Sequence, residues 1–115
     1  MDMLSYYIGR MTGVTKPRIL AQPTDQSGAV NAKAYFTVSA LGVNLTYQWQ
    51  YSEDGGTTWA TTSLTGAKTP TVTVTITAAR DGFMYRCVIT DQNNVSITSN
   101  AATLHVTNTF VGGDN

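Results

Sequence analysis

One cysteine, Cys87, stands in 115 residues. A lone thiol closes no internal disulfide and builds no multi-cysteine metal site. It is expected to act as a small buried hydrophobe. One histidine, His105, is equally alone, so it has no second imidazole or thiol with which to hold zinc. No Gly-x-Ser-x-Gly elbow and no glycine-rich phosphate loop leads into a helix. Charge is scarce at 12%, and seven Lys+Arg balance seven Asp+Glu. A nucleic-acid partner is therefore excluded, because such binding needs a basic surface that displaces counterions. Anionic lipid finds no polybasic stretch. No run approaches the roughly 20 apolar residues of a spanning helix, so no membrane insertion is expected. The opening residues do not make a secretory signal: Asp2 replaces a basic start, and Gly9 with Arg10 breaks the apolar stretch. Two settings fit, a piece of a larger exported protein or a protein made in the cytoplasm that joins an assembly.

What the chain has in abundance is threonine, 20 residues of it. Thr suits the solvated face of a strand and disfavours helix. Alternation with period two begins at Arg18. It places Ala34, Phe36, Val38 and Ala40 on one face, then Leu45, Tyr47, Trp49 and Tyr51, then Val72, Val74 and Ile76 between threonines. Phe83–Thr90, Val95–Thr98 and Ala101–Val106 continue the series. Ser52-Glu53-Asp54-Gly55-Gly56 is a hairpin turn, after which Thr57–Trp59 returns as a short strand. Thr24–Gly28 and Asp91–Asn94 read as turns. About seven or eight short strands with turns every 8–12 residues predict an all-β sandwich.

The first residues differ. Leu4, Tyr7, Ile8 and Met11 follow the i, i+3, i+4, i+7 spacing of one helical face, with Gly13 as a stop. A helix this short needs something to pack on, so the four residues are candidates for docking or for homo-oligomerisation through residues 1–13. The predicted organisation is a helical docking segment at 1–16, a sandwich at 17–107 and a flexible tail at 108–115.

Three features together point further. Trp49 lies on the third long strand, Tyr85 precedes Cys87 by two residues in Asp81-Gly82-Phe83-Met84-Tyr85-Arg86-Cys87, and the extended Thr71–Thr77 segment separates them. In these residues the chain resembles the immunoglobulin fold. In the Leu45–Trp59 hairpin and the Arg80–Thr90 segment it resembles the immunoglobulin-like modules of bacterial surface proteins and phage structural proteins. The likeness covers about residues 17–107. It implies a Greek-key sandwich in which Trp49 packs at the centre and the Tyr85 hydroxyl bonds back to upstream main chain. The second-strand cysteine of the family is missing, and Phe36 and Val38 stand where it would fall. The bridge, which typically adds about 2–4 kcal/mol, is absent. Phe36, Val38, Trp49, Tyr85 and Cys87 are thus the expected structural core. More weakly, the Ser5-Tyr6-Tyr7 opening resembles those of phage structural proteins.

Candidate ligand contacts are few. Trp59 and Tyr6 are the aromatics expected to be partly exposed and able to stack on a sugar ring, though such a tryptophan more often covers a sheet edge. Asp91, Gln92, Asn93 and Asn94 form a polar tip at an end where such sandwiches carry recognition loops. The acids are scattered, and Glu53-Asp54 reads as a solvated turn rather than a calcium site. No cofactor, metal or catalytic residue is expected. The leading expectation is a non-catalytic interaction module displayed on a phage virion, with other virion proteins and glycans as partners. The alternatives are a stalk repeat of a bacterial cell-surface adhesin and a stand-alone carbohydrate-binding module.

Overall fold

The computed structural model describes residues 16–108. Ten strands occur among them: β1 (Arg18–Ala21), β2 (Gln26–Ala29), β3 (Lys33–Thr37), β4 (Ser39–Leu41), β5 (Thr46–Ser52), β6 (Ala60–Thr61), β7 (Thr71–Thr75), β8 (Met84–Thr90), β9 (Ser96–Thr98) and β10 (Ala102–Asn108). They form three hydrogen-bonded sheets. One has the order β2-β10-β8-β5-β6, with β9 also on β8, and the others pair β1 with β4 and β3 with β7. The expected seven- or eight-stranded sandwich with a short N-terminal helix is corrected here. The strands number ten, and the described residues hold no α-helix, only a 3-10 turn at Ala78–Arg80. The segment expected to be helical, with Leu4, Tyr7, Ile8 and Met11, lies outside the described residues, as does most of the expected tail.

One extra strand arises where an expected strand changes partner. Lys33–Ala40 reads as a single strand, yet it divides at Val38. Before that point it pairs β7 in the register Ala34↔Val74 and Phe36↔Val72. Val38 then donates its N–H to Pro70 O at 3.0 Å, and beyond it the chain pairs β1. The other extra strand is β2, where Thr24–Gly28 reads as a turn, while β9 and β10 match two segments expected separately. Cys87 donates its N–H to Ser99 Oγ at 2.9 Å and accepts from Ser99 N at 2.9 Å. That buried serine fills the gap in the ladder between β9 and β10. β2 lies parallel to β10, His105 opposite Ser27 and Val106 opposite Gly28. A Cβ at Gly28 would come within 2.6 Å of Ile76 Cδ1, so a larger residue there would push the end of that core side chain aside.

The core is the interior face of these sheets: Phe36, Val38, Trp49, Val72, Val74, Ile76, Tyr85, Cys87, Ile89 and Leu104 are all essentially buried. Trp49 sits at 0% exposure directly opposite Cys87 across the β5–β8 ladder. Its indole N–H donates to Thr69 O at 2.8 Å, so its polar atom is satisfied. The loop from 62 to 70 wraps this indole: Trp49 N donates to Ala67 O at 2.8 Å, and Thr62 N to Trp49 O at 3.2 Å. Phe36 and Tyr85 stack at 4.9 Å between centroids. Burial pushes the Cys87 thiol up to about 12, which keeps it protonated and inert.

Candidate functional site

The turn between β5 and β6 is built by two side chains. Ser52 is buried at the end of β5. It donates to Asp54 Oδ1 at 2.7 Å and accepts from Gly56 N at 2.8 Å. Asp54 then accepts from Thr58 N at 2.8 Å and from the Thr58 hydroxyl at 2.6 Å. The Thr58 hydroxyl, the Thr58 N–H and Ser52 lower the Asp54 carboxyl to about 2. This network holds residues 53–58 in the turn, so the returning strand starts at Ala60 rather than at Thr57. Gly55 and Gly56 take φ of +73° and +94°, a left-handed geometry that glycine tolerates.

Trp59 follows immediately. Its indole donates to Gly56 O at 3.1 Å, and the Arg86 guanidinium lies over its ring, 4.2 Å from the centroid. Arg86 is itself aimed by a hydrogen bond from its Nε to Gln50 Oε1 at 2.8 Å. Next to this pair, Tyr51 and Phe83 stack at 6.0 Å and 21°. They wall a recess of about 340 Å³ beside β6, which Glu53, Arg80 and Tyr85 also line. The sequence singled out Trp59 but neither Tyr51 nor Phe83. Both look like alternating core positions, and only the two-residue length of β6 leaves their rings at an open edge.

The Asp91–Asn94 tip serves its own backbone. Asp91 is only 8% exposed, and its Oδ1 accepts from Asn93 N at 2.8 Å and Val95 N at 3.0 Å. Gln92 Oε1 accepts from Asn44 Nδ2 at 3.0 Å, which ties this turn to the one at Gly42–Asn44. Asn93 and Asn94 are exposed, and Asn94 adopts φ +64°. Among the described residues, the recess that Trp59 lines does not include the Asp91–Asn94 tip. Phe36, Val38, Trp49, Tyr85 and Cys87 all fall in the buried cluster. The Tyr85 hydroxyl departs from the tyrosine-corner expectation: among the described residues it makes no main-chain hydrogen bond. Burial pushes it up to about 12, against an opposing pull from Arg80.

The other turn acids are engaged in the same way. Asp81 Oδ1 accepts from Val106 N and Asp25 Oδ1 from Thr103 N, each at 2.9 Å. His105 lies 3.6 Å from Asp25 Oδ2 with both side chains well exposed, a pairing of little energetic weight. Among the described residues no three His, Cys, Asp or Glu side chains converge. No helix there is long and apolar enough to cross a membrane. The described aspartates hold turns and strand ends rather than converging on one point.

No family model matches the chain. A stretch of 78 residues, 67% of the chain, is 40% identical to Endoglucanase C of Cellulomonas fimi, and the chain spans only 7% of that protein's length. Among solved structures, the immunoglobulin domains 1–5 of Sidekick-1 superpose with a TM-score of 0.57 at 15% identity, covering 78% of this chain and 19% of that one. Extracellular domains 3–5 of Drosophila OTK superpose with a TM-score of 0.53 at 17% identity, covering 78% and 34%. The fold is therefore that of an immunoglobulin-like β-sandwich, without the inter-sheet disulfide.

Proposed function

We propose that this chain is a non-catalytic adhesion and spacer module, one immunoglobulin-like unit of an extracellular, cell-surface protein. The observation that carries the reading is the engagement of every described aspartate in holding a turn or a strand end: Asp25, Asp54, Asp81 and Asp91 all accept from main-chain N–H groups. The acids stabilise a rigid frame and leave the surface to recognition. Support comes also from the kind of chain in which similar units are found. Solved structures with this fold include named extracellular domains, and the matched stretch of Endoglucanase C is a small part of a long protein. As in such chains, we read residues 17–107 as the working unit, with flanking residues as connections.

Antibodies raised against folded residues 16–108 test the setting. Labelling of the outer surface of intact producing cells, with Fab fragments reducing their attachment, is the expected result. Labelling of purified phage particles instead would favour a virion decoration role. That reading draws on the resemblance of the first 13 residues to phage structural proteins. Antigen confined to the cytosol would overturn both.

A further inference from the structure

The Tyr85 hydroxyl is a buried polar group without a hydrogen-bond partner among the described residues. The residue is 1% exposed and its ring is fixed against Phe36, yet among the described residues the hydroxyl has no hydrogen-bond partner. Buried hydroxyls nearly always have one, and an exception asks for an explanation. The cation that acts on this hydroxyl is Arg80, and Tyr85, Arg80 and Tyr51 all line the recess of about 340 Å³ at the edge of β6.

The recess has a built chemistry. The stacked Tyr51 and Phe83 rings give it one apolar wall, and the Thr61, Thr62 and Ser63 residues form another side. Arg80 commits one nitrogen to Thr75 O at 2.6 Å. Glu53 supplies the opposite charge. A second recess of about 310 Å³ shares Tyr51 and Glu53 and extends to Thr58 and Trp59. A third shares Thr61–Leu64 and extends to Gln48 and Lys68. Adjoining through these shared residues, the three recesses are together termed the trough.

We infer that this trough binds an extended neutral glycan, with one sugar ring against the Tyr51–Phe83 wall and a sugar hydroxyl pairing with Tyr85. The inference rests on the adhesion reading and names its ligand class. A sugar ring presents a C–H face to an aromatic wall and a rim of hydroxyls that both donate and accept, which suits a site where Arg80 and Lys68 balance Glu53 and Asp54 among several hydroxyls. A nucleic acid is disfavoured by Glu53 and the zero net charge. A peptide added as a strand is disfavoured because β6 offers only two ladder residues, Ala60 and Thr61, to set its register.

Affinity gel electrophoresis of the full chain in soluble β-glucan, galactomannan and mannan tests this, alongside a threonine-rich strand-forming peptide and a cell-binding assay. Retardation by at least one neutral glycan is expected. Tyr51→Ala should abolish it. Tyr85→Phe should weaken it about tenfold, while the Tm stays level or rises, since the hydroxyl removed has no partner among the described residues. A Tm that falls with Tyr85→Phe at unchanged glycan affinity would show a purely structural hydroxyl and overturn the inference. So would retardation that survives both variants, or binding of the peptide in place of every glycan. If no glycan retards the chain but cells still bind it, the trough is refuted and the adhesion reading stands. Loss of both defeats the two together.

Discussion

The chain holds two tryptophans only ten residues apart, one on β5 and one in the turn just before β6, and the sandwich treats them oppositely. Trp49 is wholly enclosed, wrapped by the 62–70 loop and backed by Cys87. Trp59 is half-buried at the edge, held by a guanidinium on its face and by a single bond to Gly56 O. Both indole N–H groups are satisfied by main-chain carbonyls. The difference therefore lies in apolar area removed from water and in close packing, not in hydrogen bonding. A sandwich with no disulfide depends on the first kind of tryptophan for stability and keeps the second free for contacts.

The sharpest way to break this comparison is to truncate each indole. Trp49→Ala should cost about 3–5 kcal/mol, the usual range for emptying a packed aromatic site. It also strands the Thr69 carbonyl. With ordinary domain stabilities of about 5–15 kcal/mol, urea titration should show a midpoint shifted down by a large fraction, or no cooperative transition. Trp59→Ala should cost about 1 kcal/mol or less, the scale of an exposed cation–π contact. Equal losses at the two sites would refute the division.

Much of this division is legible in the residues themselves. Alternation around Leu45–Tyr51 and Val72–Ile76 marks which side chains turn inward, and Trp49, Phe36 and Cys87 follow from it. The edge is not legible, because two of its features depend on partners far along the chain and a third on a side-chain bond within the turn. β2 reads as a turn, since Gln26-Ser27-Gly28 has no apolar alternation, and only its parallel pairing with β10 makes it a strand. Val38 shows no sign in sequence that its neighbours change partner. The start of β6 shifts from Thr57 to Ala60 because the Asp54 carboxylate captures the Thr58 N–H, a bond that turn composition alone does not reveal.

The comparison extends to the two turn carboxylates, one inside and one outside. Asp91 is nearly buried and accepts two main-chain N–H groups. Asp91→Ala should cost about 1–3 kcal/mol, because it leaves Asn93 N and Val95 N without their acceptor. A urea titration reads this directly. Amide hydrogen exchange should show the increase at Asn93 and Val95, with the β5–β6 turn unaffected. A variant within a few tenths of a kcal/mol of the parent would show that water replaces the carboxylate without loss.

Asp54 is the solvated counterpart, so its contribution is best read from pH rather than from truncation. Its carboxyl lies at about 2 in the folded chain against an ordinary 3.8. The folded state thus binds the proton less readily than the unfolded chain. The stabilisation is fully present above the unfolded value and declines as pH falls through the folded one. In urea titrations from pH 5 downward, the midpoint should fall mainly between about pH 4 and pH 2, and Asp54→Asn should flatten that slope relative to the parent. The effect should be the smallest of the set, since the group is open to solvent and salt screens it. Insensitivity of the slope to Asp54→Asn would mean that the Ser52–Asp54–Thr58 network persists without its charge, and that the edge turn is held by its glycine geometry alone.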